Sequence, residues 1–416
     1  MKGGHTMSKI IVVGGGAAGL ELVTRLGRSL GRRAEHTITL VEPASHHYWK
    51  PRLHEIAAGT FDNELDAVSY LQHAACHGYQ YVQAAMTGLD RSAKTITVSQ
   101  PVNGEATLDY DYLVLAVGAI SNDFKTPGVS EHCLFLDSAE QAQRAWALIN
   151  PLLRTQGEHR LSIVGAGATG VELAAELAKV SEKLQRYRHG ASLSITLVEA
   201  ADRVLPASPA CMSEKVQRKL EQQGVTVLTN TRIQRAESGR LVTADDQVLI
   251  ADLQIWAAGI KCADWLTQLD GLETNRINQL KVHDTLQSTL DEAIFVMGDS
   301  AECPQPDGSF VPPRAQAANQ AAGHLAHQFA RLMKGKPLQP FLFNDGGMVV
   351  ALGHDYAVGA LMNDKVVLRG RLVRNLYDTI FRLHQRILFG WGRVTALVML
   401  KRIKGLLSPY YKGNAS

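Results

Sequence analysis

At 416 residues the chain is longer than a single hydrophobic core usually spans, so two or three domains are expected. Apolar residues at 45% and charged residues at 20% exclude a disordered or low-complexity protein. The net charge of +3 is unevenly placed: from residue 365 onward eleven Lys/Arg stand against one acid, Asp378, so a tail of +10 follows a body of −7, a pattern that suits an anionic surface.

Met1 to Lys9 is polar and lacks the pattern of a secretory signal, so the protein is expected to begin and stay in the cytoplasm, with Met1 to Thr6 as a tail. Lys9 to Val13 reads as a strand. It runs into Gly14-Gly15-Gly16-Ala17-Ala18-Gly19 and then a helical run, Leu20 to Leu30. Strand, GxGxxG and helix in this order make a dinucleotide site: Gly14 for the tight turn, Gly16 for backbone approach to a pyrophosphate, Gly19 for helix packing, and the helix start for the phosphates. A second strand, Thr37 to Val41, delivers Glu42 at the spacing that suits ribose hydroxyls.

The construction recurs. Leu161 to Val164, Gly165-Ala166-Gly167-Ala168-Thr169-Gly170, the helix Val171 to Lys183, and Ser194 to Val198 ending in Glu199 make a second complete unit. Two dinucleotide sites in one chain imply a bound flavin and a visiting nicotinamide. Glu199 would repel a 2′-phosphate and so favours NADH over NADPH, with Arg203 close enough to temper that preference. Each unit is followed by a strand and a small-residue turn, Ala116-Val117-Gly118 and Ala258-Gly259. Either turn can bring backbone to a cofactor or serve as a crossover between domains.

Ile294 to Gln320 combines a strand ending in Gly298-Asp299, a Pro/Gly-rich loop, and a helix opened by Ala315-Gln316. That puts a carboxylate and an amide where open α/β sheets hold ligands. Cys76, Cys133, Cys211, Cys262 and Cys303 form no CxxC or CxxxxC pair, which argues against a redox dithiol, and no metal site is expected. From Arg371 to Phe389, Leu372, Val373, Leu376, Tyr377, Ile380, Phe381, Leu383, Ile387 and Leu388 share half of a helical wheel, with His384 as the polar exception; Arg374, Asn375, Asp378, Thr379, Arg382, Gln385 and Arg386 share the other half. After Gly390-Trp391-Gly392, Arg393 to Leu407 is a second apolar and basic stretch, too short in its uncharged run to span a bilayer. Membrane binding in the headgroup plane, with Trp391, Tyr410 and Tyr411 nearby, is expected over residues 365–412; nucleic acid is not.

The segments IIVVGGGAAGLE, HYWKPRLHEIAAG (47–59), LAVGAISNDFKTPGV (115–129), IVGAGATGVELAAEL (163–177), WAAGIK (256–261), GLETNRINQL (271–280) and MGDSAECPQPDGSFVPPRAQAANQ (297–320) resemble the type II NADH:quinone oxidoreductases over nearly the whole chain. The resemblance implies an α/β fold of two Rossmann-like dinucleotide-binding domains with a C-terminal membrane-association region. The divisions expected are 1–121 and 283–333 for FAD, 122–282 for NADH, and 334–416 for the membrane. It further implies NADH oxidation by FAD, reduction of a membrane quinone without proton pumping, a place on the cytoplasmic face of the inner membrane, and a homodimer as an option. By resemblance, Asp299 bonds the ribityl chain, Trp49-Lys50-Pro51 passes the isoalloxazine, Glu172 lies beside nicotinamide and flavin, and Gln316 and Gln320 line the quinone tunnel. Bland readings stand beside these: Glu172 as a charge at a helix N-terminus, Gln320 as an ordinary polar helix position, Lys50 as a solvated lysine. A sulfide:quinone reductase using Cys133, and an NADH-binding sensor, are the rival functions.

Overall fold

The computed structural model describes residues 7–32, 36–187, 191–361 and 366–407. Two parallel five-stranded sheets carry the architecture. The first has the spatial order Ile294–Val296, Tyr112–Leu115, Ser8–Val13, His36–Val41, Gln80–Val82; the second has Leu134–Phe135, Leu253–Trp256, Gly157–Val164, Ala191–Val198, Thr226–Leu228. In each the strand before the glycine loop is central, so the loop emerges at the carboxyl end of the sheet, where crossovers leave a crevice. Each unit also carries a three-stranded antiparallel sheet, from Ala85–Asp90 to Gly104–Asp109 and from Ile233–Glu237 to Val248–Ile250. The repeat therefore covers whole domains.

Near-continuous β-branched and leucine runs suit strands buried on both faces. Ile10, Val12, Leu40, Leu113, Leu115 and Phe295 make the first core with Leu20 and Phe329; Ile163, Leu197 and Ile255 make the second with Leu173. The second core also takes Leu53 and Ile56 from the first unit and Val350 and Val358 from the C-terminal sheet Gly347–Ala351, Ala357–Leu361, Val366–Gly370. Ile120–Ser121 pairs with Ile260–Lys261, so the turns after Ala116 and Ala258 also bridge the two units.

The helix Arg371–Phe389 forms as expected, and Gly390 at φ +81 separates it from Trp391–Leu407, which starts two residues before the expected Arg393. Its apolar half is divided. Val373, Tyr377, Phe381 and Leu388 pack inward, while Leu372, Leu376, Ile380 and Leu383 are exposed. Two expectations for the polar half and the basic tail are corrected here. Arg374 and Gln385 are buried, because Glu55 and Asp66 lie beneath them. Arg382 and Lys401 pair with Asp66 at 3.3 and 2.5 Å, and Lys404 meets Asp62 and Glu64 at 3.0 Å, so part of the basic tail neutralises the chain's own acids. Lys365, Tyr410, Tyr411 and Lys412 lie outside the described residues, as do Met1 to Thr6 and the side chains of Leu406 and Leu407. No described helix is long and apolar enough to cross a membrane.

Candidate functional site

The two glycine loops are one object built twice. A central strand must turn sharply into a helix, and Gly14 and Gly165 do so at φ +100 and +102; a Cβ on either would lie 2.5 Å from Ala116 O or 2.6 Å from Ala258 Cα. Gly19 and Gly170 let the helix close on the loop, since a Cβ there would lie 1.8 Å from Gly14 O and 1.9 Å from Gly165 O. At Gly16 and Gly167 a Cβ would meet nothing within 4 Å. That open side, at the start of the helices Ala17–Leu26 and Ala168–Tyr187, is where amides and the helix dipole favour a phosphate. Ala17, Ala18 and Thr169 keep the first turns small.

Glu42 and Glu199 brace these loops. Gly15 N–H and Ala44 N–H donate to Glu42 at 2.6 and 2.9 Å, and Ala166 N–H and Ala201 N–H donate to Glu199 at 2.7 and 2.9 Å. In each unit both oxygens of the carboxylate accept from backbone N–H groups, which fastens the glycine loop to the end of the second strand. Arg203 donates to Pro206 O at 3.1 Å.

Gly298, at φ +71, is wedged between Ala18 and Ala318, whose Cβ atoms would lie 3.6 and 3.5 Å from a Cβ placed on it. The turn Gly298–Ser300 thus joins the starts of two helices, Ala17–Leu26 and Ala315–Leu332. Asp299 Oδ1 is buried with no partner among the described residues, and burial raises its carboxyl above the ordinary range while Lys50 opposes that rise. Lys50 donates to Ala119 O at 2.5 Å, and Gly118, at φ +72, faces open space. A buried acceptor without a donor beside an open backbone cradle fits a hydroxyl-bearing chain such as the ribityl group of FAD. Pro51 O accepts from the Tyr377 hydroxyl at 3.1 Å, so this segment is fastened to the C-terminal helix.

Glu172 is 5% exposed. The helix begins at Ala168, so the carboxyl lies past the first turn and the helix-terminus explanation loses its footing. Its partners are Ala351 N–H at 2.9 Å, His54 Nδ1 at 3.3 Å and the Tyr377 hydroxyl. Burial lifts Glu172 to about 8, against the pull of Ala351 and Arg374, and lifts Glu176, one turn on, to about 7. His54 is driven down to about 4, chiefly by burial. Beside them Glu55 would also be raised by burial, but Arg52, His54 and Arg374 outweigh this and hold it at about 2. Burial thus favours a proton on Glu172 and Glu176 while the arginines hold Glu55 ionised, the condition for distinct acid and charge-balancing roles.

Gln320 exchanges two hydrogen bonds with the Asn344 backbone, at 2.8 and 3.0 Å, whereas Gln316 lies 3.4 Å from the same carbonyl and 2.6 Å from where a Gly346 Cβ would sit. Gln320 thus ties segment 340–347 to its helix, and Gln316 faces the glycine turn at 346–347. Cys133 is buried, its thiol pushed up to about 12 by burial, so it does not offer a thiolate. Sequence reasoning missed His54, Glu55, Arg374 and Tyr377, as well as Glu21 and His47. The available signal was a charge inside an apolar helical run, as in Leu20-Glu21-Leu22.

Residues 8–322 match the family model described as pyridine nucleotide-disulphide oxidoreductase; all five cysteines of this chain are free. The type II NADH:quinone oxidoreductase of Haemophilus influenzae is 39% identical, covering 98% of this chain and 100% of that protein; its namesake from Staphylococcus aureus (strain MSSA476) is 30% identical over 89% and 94%. In fold, the NDH2 structure from Plasmodium falciparum in complex with NADH superposes with a TM-score of 0.85 at 18% identity, covering 98% of this chain and 99% of that one. The sulfide:quinone oxidoreductase of Aquifex aeolicus does so with 0.76 at 16%, covering 97% and 96%. With its duplicated loops and nearly full-length likeness, the chain belongs to the pyridine nucleotide-disulphide oxidoreductase family and, within it, to the type II NADH:quinone oxidoreductases.

Proposed function

We propose that the chain holds FAD at the Gly14–Gly19 loop, takes NADH at the Gly165–Gly170 loop and reduces a membrane quinone without moving protons across the membrane. The observation that carries this reading is one loop built twice, with its carboxylate grip, in a chain alike over 98% of its length to an NADH:quinone oxidoreductase. When bound, the flavin accepts the hydride of NADH and passes two electrons to the quinone.

The chain's own residues bind, orient and hold a proton. Glycines 14, 16 and 19 with Glu42, Lys50, Pro51, Ala116, Gly118, Gly298, Asp299 and Ala315 form the FAD cradle in this reading. Glycines 165, 167 and 170 with Thr169, Glu199, Ala258 and Gly259 form the NADH cradle. NADH, one proton and quinone give NAD+ and quinol, so one proton must come from the protein or solvent. Glu172, lifted to about 8, keeps a proton at neutral pH and is the donor in this reading, with His54 against its carboxyl. Gln316 meets the quinone head group, and Gln320 positions segment 340–347 beside it.

Gln316→Ala is expected to raise the quinone KM about tenfold, the order of one lost hydrogen bond, with flavin reduction by NADH unchanged. Steady-state NADH oxidation with ubiquinone and menaquinone analogues reads this, and an unaltered KM removes Gln316 from the site. NADH reducing the flavin with no quinone reoxidising it would favour a sensor instead.

The exposed row Leu372, Leu376, Ile380 and Leu383, with Trp391, Met399, Leu400 and Ile403, is assigned to the headgroup plane on the cytoplasmic side. Deleting the residues after Phe389 is expected to weaken sedimentation with anionic vesicles while NADH oxidation by a water-soluble acceptor continues. Undiminished sedimentation would remove Trp391–Leu407 from the anchor.

A further inference from the structure

Beneath the first glycine loop, a line of hydrogen bonds runs from the C-terminal helix to the loop itself. Glu21, fully buried in the helix Ala17–Leu26, places Oε1 2.9 Å from His384 Nδ1. His384 Nε2 lies 3.2 Å from His47 Nε2, and His47 Nδ1 lies 3.0 Å from Gly15 O. The Trp49 ring covers His384 with centroids 4.1 Å apart. Burial, before any other influence, drives both histidines down to about 3, so each is a neutral ring with one donor and one acceptor.

A carbonyl only accepts, and this fixes the direction of the whole line. His47 must donate from Nδ1 to Gly15 O, which leaves its Nε2 as an acceptor. His384 must then donate from Nε2 and accept at Nδ1. Glu21 must therefore donate, as a carboxylic acid. Burial lifts Glu21 to about 8 against the pull of Arg25, so the required proton is present at neutral pH.

We infer that Glu21, His384 and His47 form a directional hydrogen-bond line that orients the Gly15–Gly16 peptide, coupling the docking of the helix Arg371–Phe389 to retention of the FAD in the first loop. The coupling works through peptide geometry. All peptide bonds described are trans, so holding the Gly15 carbonyl from behind points the Gly16 N–H the opposite way, toward the open side of the loop. The Tyr70 hydroxyl donates to the same carbonyl at 2.6 Å. In the second unit the corresponding carbonyl, Ala166 O, accepts instead from the Leu205 backbone N–H at 2.8 Å. A side-chain line to the C-terminal helix thus serves the loop of the resident cofactor, and a local backbone bond serves the loop of the visiting one. His47, His384 and Glu21 are positioning residues, and this inference rests on the reading of the first loop as the FAD site.

Above about pH 8 Glu21 ionises and accepts. His384 then donates from Nδ1, His47 from Nε2, and the lone pair of His47 Nδ1 faces Gly15 O. A carboxyl raised in the folded state makes its full contribution below its ordinary value of 4.5 and has lost it once pH has risen through about 8. The charged and titratable groups facing the line are Arg25, 3.8 Å from Glu21 Oε2, Tyr70 and Glu42 on the Gly15 peptide, and His73 near His47.

The test is the rate at which the holoenzyme releases FAD on dilution, read by the fluorescence of freed flavin from about pH 7 to about pH 9. Release from the wild-type chain is expected to quicken about three- to tenfold across that range, the size of one neutral hydrogen bond. Glu21→Gln, whose amide N–H donates to His384 at every pH, should release slowly throughout. His384→Ala and His47→Ala, which interrupt the line, should release quickly throughout. A wild-type profile that is flat, or one that Glu21→Gln or the histidine variants reproduce, overturns the inference while leaving FAD in its loop. A chain that carries no FAD at either pH overturns the inference and the FAD reading together.

Discussion

Glu55→Gln is expected to lower the stability of the folded chain by about 3–5 kcal/mol, the cost of removing one partner from a buried charge cluster. Glu55 Oε1 lies 2.8 Å from Arg52 and 3.2 Å from Arg374, and all three side chains are at most 7% exposed. Asp378 also bonds both arginines, at 3.2 and 3.1 Å, but its side chain is 44% exposed and cannot balance two buried guanidinium groups alone. The neighbours soften the loss. Glu55 is among the groups raising Glu172 and Glu176, so without its charge both ionise more readily. The variant should therefore fall toward the lower end of that range and lose the proton on Glu172 at a lower pH. Glu55 is held at about 2, below the ordinary carboxyl value of 4.5, so its contribution is present above that value and fades as pH falls toward about 2. Denaturant unfolding should then show a gap between wild type and Glu55→Gln that is full at neutral pH and closes in acid. A gap under about 1 kcal/mol at neutral pH would mean that the two arginines do not depend on Glu55.

Residues whose partners are close in sequence announced themselves, and residues whose partners are distant did not. The glycine loops were legible because a strand-to-helix turn constrains backbone over a handful of positions, and Gly14, Gly19, Gly165 and Gly170 can be no other residue there. The wheel of Arg371–Phe389 was legible as a wheel, but which half faces inward is a tertiary matter. Arg374 is buried because Glu55, 319 positions away, meets it, and His384 is buried because His47, 337 positions away, does. The helical period files Arg374 with its polar neighbours and makes His384 a flaw in an apolar face, although His384 bonds both Glu21 and His47. The basic tail misled for a related reason: composition reports charge but not whether Asp62, Glu64 and Asp66 wait beneath it. Gln316 and Gln320 were legible as a pair one turn apart, and only the backbone of Asn344 in segment 340–347 separates their roles.

Gly170→Ala is expected to reduce NADH oxidation at least about a hundredfold while the purified protein keeps its FAD, the penalty seen when reacting groups are misplaced by about 1 Å. A methyl at this position would lie 1.9 Å from Gly165 O, and real Cβ atoms do not approach a backbone oxygen within 3.0 Å, so the helix Ala168–Tyr187 must lift from its loop. The movement has two effects on one helix. It opens the phosphate cradle at Gly167, and it carries Glu172, two residues on, away from Ala351 N–H and His54. The first raises the KM for NADH, and the second lowers kcat for quinone reduction, so both parameters should worsen. Gly19→Ala is the matching change in the other unit, with its methyl 1.8 Å from Gly14 O, and should give a chain that purifies without flavin. The pair separates the two loops by what each loses: nicotinamide turnover with the flavin spectrum intact for Gly170→Ala, the flavin spectrum itself for Gly19→Ala. If Gly170→Ala lost its flavin and Gly19→Ala kept it, the assignment of the resident cofactor to the first loop and of the visiting one to the second would have to be exchanged.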